Sequence, residues 1–299
     1  MIPLCDAHQH FHFNSLAPHR ATVLADLQAV GLKVAVVNAT NETEWPVVDA
    51  LARQHPWIVP SHGIHPWDCG DRSPGWLERL RAVLDADPRA GVGEIGLDRW
   101  IVDGIRTDDP RIAGLRVAPL DEQIEVFGAQ FSLAVELNRA TSIHCVQAFG
   151  ALLDALKNSP RSTRGFLLHG YSGPAEMIKP FADLGAYFSF NIEVVTRKGR
   201  ASPPDESQAP NGMSGSTRPP RAEIWKSIPA DRLLVETDAP TKAPPPALNR
   251  FPLPPAPDDN AINHPANIAV AYEQLAVLRG VSVATLAVQV EANFRSLFL

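Results

Sequence analysis

The sequence is poor in cysteine, and this scarcity excludes two kinds of site. Its three cysteines, Cys5, Cys69 and Cys145, are odd in number, far apart and never arranged as Cys-x-x-Cys. A disulfide framework and a thiolate zinc site are therefore not expected. The few cysteines fit a reducing compartment.

Long hydrophobic runs and an excess of positive charge are also missing. No apolar run approaches the roughly 18 residues of a membrane span, and no basic segment with a cleavage site precedes Leu4. We therefore expect a cytoplasmic protein without a membrane partner. The formal net charge is −6, whereas proteins that bind nucleic acid usually have a basic face, so any contact with nucleic acid must be local.

What the sequence does contain is a series of short, β-rich apolar runs separated by helix-like stretches. The predicted strands are 4–6, 34–38, 58–62, 91–95, 141–144, 165–169, 186–190 and 233–237. Strands that alternate with helices predict a parallel sheet, and the number eight favours a closed (β/α)8 barrel in one domain, 1–299. An open doubly wound sheet is the alternative, but no Gly-x-Gly-x-x-Gly follows an early strand.

Apolar spacing and end signals predict three of the helices. Ser73 is expected to cap a helix that starts at Pro74, and a second helix starts near Asp121. A third helix is expected to run from Pro265 to Gly280.

Two segments depart from this alternation. Residues 197–221 are rich in proline, glycine and serine, so we expect a mobile loop between strands seven and eight. Residues 243–259 hold seven prolines and are expected to wrap over the barrel mouth; a proline-rich ligand for a partner protein is the weaker alternative.

Polar residues interrupt the apolar pattern where the predicted strands end. They are His8, His10, His62, His65, Glu94, His144, His169 and Asp238. In a barrel these strand ends open on one face, where active sites form. Imidazole nitrogens and carboxylate oxygens are the ligands of divalent-metal hydrolases. The sequence therefore predicts a metal centre at the barrel mouth.

The motifs that carry these residues form an ordered series along nearly the whole chain. They are Asp-Ala-His-Gln-His at 6–10, Gly-Ile-His-Pro at 63–66, Gly-Glu-Ile-Gly-Leu-Asp at 93–98, Ile-His-Cys at 143–145, Leu-His-Gly-Tyr-Ser-Gly at 168–173, Leu-Val-Glu-Thr-Asp-Ala-Pro at 234–240, Asn-His-Pro at 263–265 and Asn-Phe-Arg-Ser-Leu-Phe at 293–298. In this order they resemble the TatD family of metal-dependent hydrolases.

The resemblance implies an amidohydrolase-type barrel with two divalent ions, Mg²⁺, Mn²⁺ or Zn²⁺. By position, one ion would take His8, His10 and Asp238, the other His144 and His169, and Glu94 would bridge both. Two cations about 3.5–4 Å apart can deprotonate a shared water and neutralise the charge that develops on the attacked phosphate.

The remaining predicted roles follow from position. Asp238 would also accept the proton of the attacking water. Glu236, two residues earlier, is a candidate either to support a metal ligand from behind or to relay protons. Asp6 stands behind the first histidine and is expected to fix its tautomer. His65 matches a family position that contacts substrate, whereas His62 is interpreted as structural.

One departure from the family bears on the substrate. The family usually has an arginine two residues after the strand-five histidine, and Val146 stands there instead. A guanidinium suits bidentate phosphate binding. The long loop after Asp98 carries four arginines that either replace the missing one or are surface charge: Arg99, Arg106, Arg111 and Arg116.

The leading hypothesis is a TatD-like deoxyribonuclease or phosphodiesterase that acts on single-stranded or frayed DNA ends. A second hypothesis keeps the metals and changes the bond to an ester, such as a D-aminoacyl-tRNA linkage, or an amide. A third, from a different class, is a non-catalytic accessory barrel.

Overall fold

The computed structural model describes residues 2–193, 221–256 and 260–299 of the chain. Within them a single sheet contains the strands β1 (Leu4–Gln9), β2 (Leu32–Asn38), β3 (Ile58–His62), β4 (Gly91–Asp98), β5 (Thr141–Val146), β6 (Phe166–Leu168), β7 (Ala186–Phe190) and β8 (Leu233–Val235). Each strand pairs in parallel with the next one along the chain. This unbroken order confirms the predicted (β/α)8 barrel and excludes the doubly wound alternative.

The barrel closes just beyond the paired residues of β8. The backbone N–H of Asp238 donates to the carbonyl of His8 at 2.9 Å. The Asp6 carboxylate accepts from the backbone N–H of Thr237 at 3.1 Å and from its hydroxyl at 2.6 Å. These contacts fasten the last strand to the first at the end of the barrel where the predicted site lies.

The helices of the described residues connect the strands and cover the barrel. They are α1 (Arg20–Val30), α2 (Trp45–Gln54), α3 (Trp76–Ala86), α4 (Leu120–Glu136), α5 (Phe149–Lys157), α6 (Ile178–Asp183), α7 (Arg221–Ser227), α8 (Ile268–Arg279) and α9 (Val283–Phe298). In α4 the buried residues Phe127, Phe131 and Ala134 recur every three or four positions. One face of this helix therefore packs inward, as the apolar spacing predicted.

Two of the predicted helices are confirmed. Helix α4 begins one residue before Asp121, and α8 follows a short 3-10 turn, Pro265–Asn267, and ends at Gly280, which has a left-handed φ of 65°. Glycine adopts this conformation at no steric cost, so it stops the helix there.

The prediction that Ser73 caps a helix is wrong. Helix α3 begins at Trp76, after Gly75, whose φ is 72°. The backbone N–H and the hydroxyl of Ser73 both donate to the Glu42 carboxylate, at 2.8 and 2.7 Å. A hydroxyl that is bound to Glu42 does not cap the helix, so a tertiary contact has overridden the local signal.

The two irregular segments are only partly described. Of the predicted loop at 197–221, every residue before Arg221 lies outside the described residues, and α7 begins at Arg221. In the proline-rich segment, residues 243–256 form no helix or strand and 257–259 lie outside the described residues. Its mid-portion contacts the start of α8, where the backbone N–H of Arg250 donates to Asn267 Oδ1 at 3.2 Å. The single-domain assignment and the wrap over the mouth stay predictions.

In the described ranges, no single helix has both the length and the apolar character that a membrane crossing requires. The pair Pro265–Arg279 and Val283–Phe298, bent by 105°, meets the criteria of length and composition only when the two are taken together.

Candidate metal centre

The predicted ligands come from five different strands and meet at one end of the barrel. His8 lies on β1 with His10 just after it, Glu94 and His144 lie on β4 and β5, and His169 and Asp238 follow β6 and β8. Donor atoms of His8, Glu94 and His169 lie within 4.8 Å of one another, and so do those of His8, His10 and Asp238. Residues more than 200 positions apart in the chain thus surround one small volume.

Glu94 lies at the middle of this cluster, between two pairs of histidines. Its Oε2 atom is 3.4 Å from His8 Nε2 and 3.3 Å from His10 Nε2. Its Oε1 atom is 2.8 Å from both His144 Nδ1 and His169 Nε2. Each carboxylate oxygen therefore faces a different histidine pair.

A glycine lets β4 approach β5 closely enough for this arrangement. Gly96 has a φ of 147°, which residues with side chains rarely adopt. A Cβ at Gly96 would lie 2.0 Å from the carbonyl oxygen of His144. Only glycine at this position allows Glu94 and His144 to sit side by side at the barrel mouth.

Asp238 enters the cluster through a sharp turn after β8. Its φ is 55°, in the left-handed region that Asp tolerates better than most residues with side chains. Its Oδ1 atom lies 3.5 Å from His10 Nε2 and 4.0 Å from His8 Nε2. Asp238 thus joins the first histidine pair.

Hydrogen bonds behind the ligands decide which ring nitrogen faces the centre. The carbonyl of Asn38 lies 2.7 Å from His10 Nδ1. A carbonyl only accepts, so Nδ1 carries a proton and Nε2 is the nitrogen that faces the centre. His8 Nδ1 lies 2.8 Å from Ser142 Oγ and 3.0 Å from the side-chain nitrogen of Asn38, and these two contacts hold the His8 ring in position.

The donor atoms of the histidines crowd together in a way that fits a cation. His8 Nε2 lies 3.3 Å from His10 Nε2, and His144 Nδ1 lies 3.2 Å from His169 Nε2. Lone pairs that converge at such distances repel unless a shared proton or a metal cation lies between them. Buried imidazole and carboxylate donors of this kind form the preferred ligand set of a divalent transition metal.

The electrostatics of the cluster point the same way. Burial alone would raise the pKa of Glu94, but His169, His65 and His8 hold this pKa well below its usual range. Burial alone would lower the pKa of His10, but hydrogen bonds to Asp238 and Glu94 outweigh burial and raise it to about 10. Burial alone would also raise the pKa of Asp238, but the hydrogen bond to His10 holds it below its usual range. Both carboxylates are thus ionised and attract positive charge, which a divalent cation would supply in place of protons.

Comparison with known proteins supports this interpretation of the site. Residues 5–299 match the family described as TatD related DNase. The chain belongs to this family. It is 27% identical over 285 residues to the 3'-5' ssDNA/RNA exonuclease TatD of Salmonella typhimurium, with 95% of each chain covered. It is 28% identical over 298 residues to the uncharacterized metal-dependent hydrolase YcfH of Escherichia coli, covering 99% of this chain and 95% of that one.

A solved structure shares the fold. The crystal structure of YjjV, a TatD homolog from Escherichia coli, is similar with a TM-score of 0.77 at 23% identity, covering 99% of this chain and 97% of that one. The family match over residues 5–299 confirms the TatD resemblance drawn from the sequence motifs.

In this TatD-family site, His65 lies beside the candidate ligands, and one candidate metal-binding group consists of His65, Glu94 and His144. The Nδ1 atom of His65 accepts the backbone N–H of Trp67 at 3.2 Å. Burial lowers the pKa of His65, so the ring is neutral and its one proton is on Nε2. That Nε2 lies 3.3 Å from Glu94 Oε1. A proton donor that faces the centre fits the predicted contact with substrate.

Glu236 and Asp6 lie behind the candidate ligands, but Asp6 does not contact the His8 imidazole as the sequence predicted. Glu236 Oε1 is 3.8 Å from His169 Nδ1, and its other oxygen accepts from the Ser189 hydroxyl. The Asp6 carboxylate accepts the backbone N–H of His8 at 3.2 Å. Asp6 therefore orients backbone rather than the imidazole, and the predicted tautomer role is corrected.

Sequence reasoning missed three residues that orient the ligands. Asp98 Oδ2 lies 3.4 Å from His144 Nε2, and Asn38 and Ser142 hold the first histidine pair. Asp98 lies four residues after Glu94 on the same strand, so strand alternation could have identified it. Asn38 contacts His10 through its backbone carbonyl and His8 through its side-chain amide, and the local pattern of the sequence shows neither contact.

Three other histidines pair with carboxylates that are not candidate ligands. The pairs are His62 with Asp49 at 2.9 Å, His12 with Glu44 at 3.0 Å and His264 with Asp26 at 3.2 Å. The pairing of His62 fits its interpretation as structural.

The four arginines of the loop after β4 each face a carboxylate. The pairs are Arg99 with Asp103 at 3.0 Å, Arg106 with Asp108 at 2.9 Å, Arg111 with Asp109 at 2.6 Å and Arg116 with Glu122 at 2.6 Å. Val146 is the last residue of β5 and lies opposite Asp98 in the sheet. This pairing favours surface charge over replacement of the missing arginine.

Proposed function

We propose that this protein is a nuclease that holds two divalent cations and hydrolyses phosphodiester bonds at single-stranded or frayed DNA ends. Its membership of the TatD-related DNase family supports the metal-dependent hydrolysis of phosphodiester bonds. One observation carries the two-cation proposal: the oxygens of Glu94 face different histidine pairs.

The proposed ligands divide into two sets on either side of that carboxylate. His8, His10 and Asp238 would hold one cation, and His144 and His169 the other. Mixed imidazole and carboxylate sites accept Mg²⁺, Mn²⁺ or Zn²⁺. When bound, such a pair lowers the pKa of water and stabilises negative charge on the attacked phosphate.

The side chains of the centre would bind and move protons around the reacting phosphate. Asp238, ionised and at the edge of the first histidine pair, would accept the proton of the attacking water at its carboxylate. The Nε2–H of His65 would donate a hydrogen bond to a phosphate oxygen. Glu236, behind His169, would keep that imidazole in position.

Single-stranded nucleic acid is the proposed substrate because relatives of this chain are named as exonucleases of single-stranded nucleic acid. The Salmonella typhimurium protein is named as a 3'-5' exonuclease of single-stranded DNA and RNA. We propose that this chain also degrades a strand from its 3' end towards its 5' end.

A second candidate rests on Val146. Without the arginine that suits bidentate phosphate binding, the same centre could serve an ester, such as a D-aminoacyl-tRNA linkage, or an amide. An accessory barrel without activity is disfavoured, because the ligand cluster is complete.

A release assay separates these functions. Single-stranded DNA labelled at its 5' end is incubated with protein and Mg²⁺, Mn²⁺ or Zn²⁺, in parallel with tRNA charged with a labelled D-amino acid. We expect progressive shortening of the DNA from its 3' end, abolished by a chelator. Release of amino acid, with no nucleotide released under any of the three metals, would replace the nuclease by the esterase.

A further inference from the structure

Two tryptophans lie together at the rim of the candidate metal centre. Trp67 follows β3, and Trp100 opens a short π-helical turn, Trp100–Gly104, directly after β4. Their rings are stacked, with centroids 6.1 Å apart and planes 26° apart. Both are half-buried, so part of the ring surface faces solvent.

This pair is connected to the ligands through Asp98. The indole N–H of Trp67 donates to Asp98 Oδ2 at 2.7 Å, and the same oxygen lies 3.4 Å from His144 Nε2. The Trp67 ring is also 6.4 Å from the ring of His65, the proposed donor to substrate. A nucleotide whose phosphate lay at the centre would have this aromatic surface beside it.

The two rings are not part of the hydrophobic core. Of the six tryptophans, Trp45 and Trp225 lie in the core and Trp57 and Trp76 pack against it. Trp67 and Trp100 do neither. Their large apolar surfaces are therefore not explained by the packing that stabilises the barrel.

The surrounding chain holds Trp100 in place. A Cβ at Gly104 would lie 2.4 Å from Trp100 Cδ1, so the indole packs directly on the backbone of the turn. The guanidinium of Arg111 lies 4.9 Å from the ring centroid and is itself paired with Asp109. The aromatic surface is thus ordered before any ligand binds, which reduces the entropy lost on binding.

From this placement we infer that Trp67 and Trp100 form a platform on which a base of single-stranded nucleic acid stacks while its phosphate lies at the metal centre. The inference rests on the proposed nuclease function. Base stacking on aromatic side chains is the usual means of holding single strands, because every base offers a π-face whatever its sequence.

The test compares two oligonucleotides that differ only in their bases. One is a fluorescent single-stranded DNA with phosphorothioate linkages, which resist hydrolysis; the other has abasic sugars in place of its 3'-terminal nucleosides. Affinities are measured by fluorescence anisotropy with Mn²⁺-loaded protein. In comparable sites one aromatic side chain contributes about five- to a hundred-fold in affinity per base, so the wild type should prefer the complete strand about tenfold.

Matched variants then assign the preference to the platform. Trp100→Leu should lose it, Trp100→Phe should retain it because a ring remains, and Trp67→Phe should retain it while losing the hydrogen bond to Asp98. Trp57→Leu, which removes a tryptophan that packs against the core beside Phe11, is the control and should bind like the wild type. Thermal unfolding of each variant checks that the fold is intact.

The outcomes distinguish this inference from the function on which it rests. If the wild type shortens DNA but binds the complete and abasic strands equally, or if Trp100→Leu keeps the wild-type preference, the platform is wrong and the nuclease stands. If the wild type neither binds nor shortens DNA with any of the three metals, the proposed function fails, and the platform fails with it.

Discussion

Glu94 is the side chain on which the candidate metal centre depends most directly, because its two oxygens face different histidine pairs. Neutralising it would leave the imidazoles in place and remove the charge between the proposed cations. Its contribution can therefore be measured by a substitution that keeps its shape.

We predict that Glu94→Gln lowers metal affinity at least about tenfold, because even outer partners of metal ligands contribute ten- to a hundred-fold. DNA hydrolysis should fall in parallel. Metal content is measured by elemental analysis and affinity by titration calorimetry. Glu42→Gln, which changes an exposed pair with Arg79, is the control. Unchanged metal content in Glu94→Gln would show that Glu94 is not a bridging ligand.

The loop arginines provide a second test at the scale of single residues. Because each of them faces a carboxylate, we predict that Arg99→Ala, Arg106→Ala, Arg111→Ala and Arg116→Ala each change kcat/KM for single-stranded DNA by less than about threefold. A loss of roughly ten- to a hundred-fold in any one variant would mean that its guanidinium holds the phosphate.

Val146→Arg is the complementary change. If no loop arginine supplies the phosphate contact, a guanidinium two residues after His144 should raise kcat/KM for DNA about tenfold. Val146→Met, of similar length without charge, separates the effect of charge from that of bulk. No increase with arginine would indicate that the substrate does not use this position.

At the scale of elements, the contact between β4 and β5 positions two of the six candidate ligands, Glu94 and His144. Gly96 permits this contact because any side chain would collide with the carbonyl of His144. The strand pair therefore depends on one residue that contributes no chemistry.

We predict that Gly96→Ala lowers the free energy of unfolding by about 3 kcal/mol or more, through overpacking and backbone strain. Gly128→Ala in α4 is the matched control, since a Cβ there meets nothing within 4 Å. It should stabilise the protein by about 0.5–1 kcal/mol, because alanine favours the helix. Urea unfolding measures both. Equal stabilities for Gly96→Ala and the wild type would mean that the strands can move apart without cost.

At the scale of the whole molecule, the centre joins strands from both ends of the chain. His8 and His10 belong to the first strand and its end, whereas Asp238 follows the last strand. A cation bound by all three would connect the first and last strands of the barrel and stabilise the fold through mass action.

We predict that a chelator lowers Tm and that Mg²⁺, Mn²⁺ or Zn²⁺ restores it. At a hundred times its Kd a cation adds about 2.7 kcal/mol, which corresponds to roughly 4 °C for a chain of this size. As a control, Tm is measured by calorimetry with NaCl at the same ionic strength in place of the divalent salt. In Glu94→Gln the divalent ion should raise Tm by less than in the wild type. Identical melting with chelator and with each ion would contradict a metal centre that connects the barrel.

The sequence by itself determined the order of the strands and the positions of the candidate ligands. Alternation of apolar runs is local, and the carboxyl ends of parallel strands share one face, so the placement of His144 and His169 near Glu94 follows from their positions at strand ends. The apolar spacing of α4 is local in the same sense, and it predicted that helix to within one residue of its start.

Only the tertiary structure decided how these groups are oriented and which of them meet. The His8 imidazole contacts Ser142, which is 134 residues away, and the side chain of Asn38, which is 30 residues away. The hydroxyl of Ser73 donates to Glu42 instead of capping a helix, and the ring of Trp67 stacks on that of Trp100 from a different loop. Tautomers, side-chain pairings and aromatic stacking depend on neighbours that are distant in the chain, and the local periodicity of a sequence does not record them.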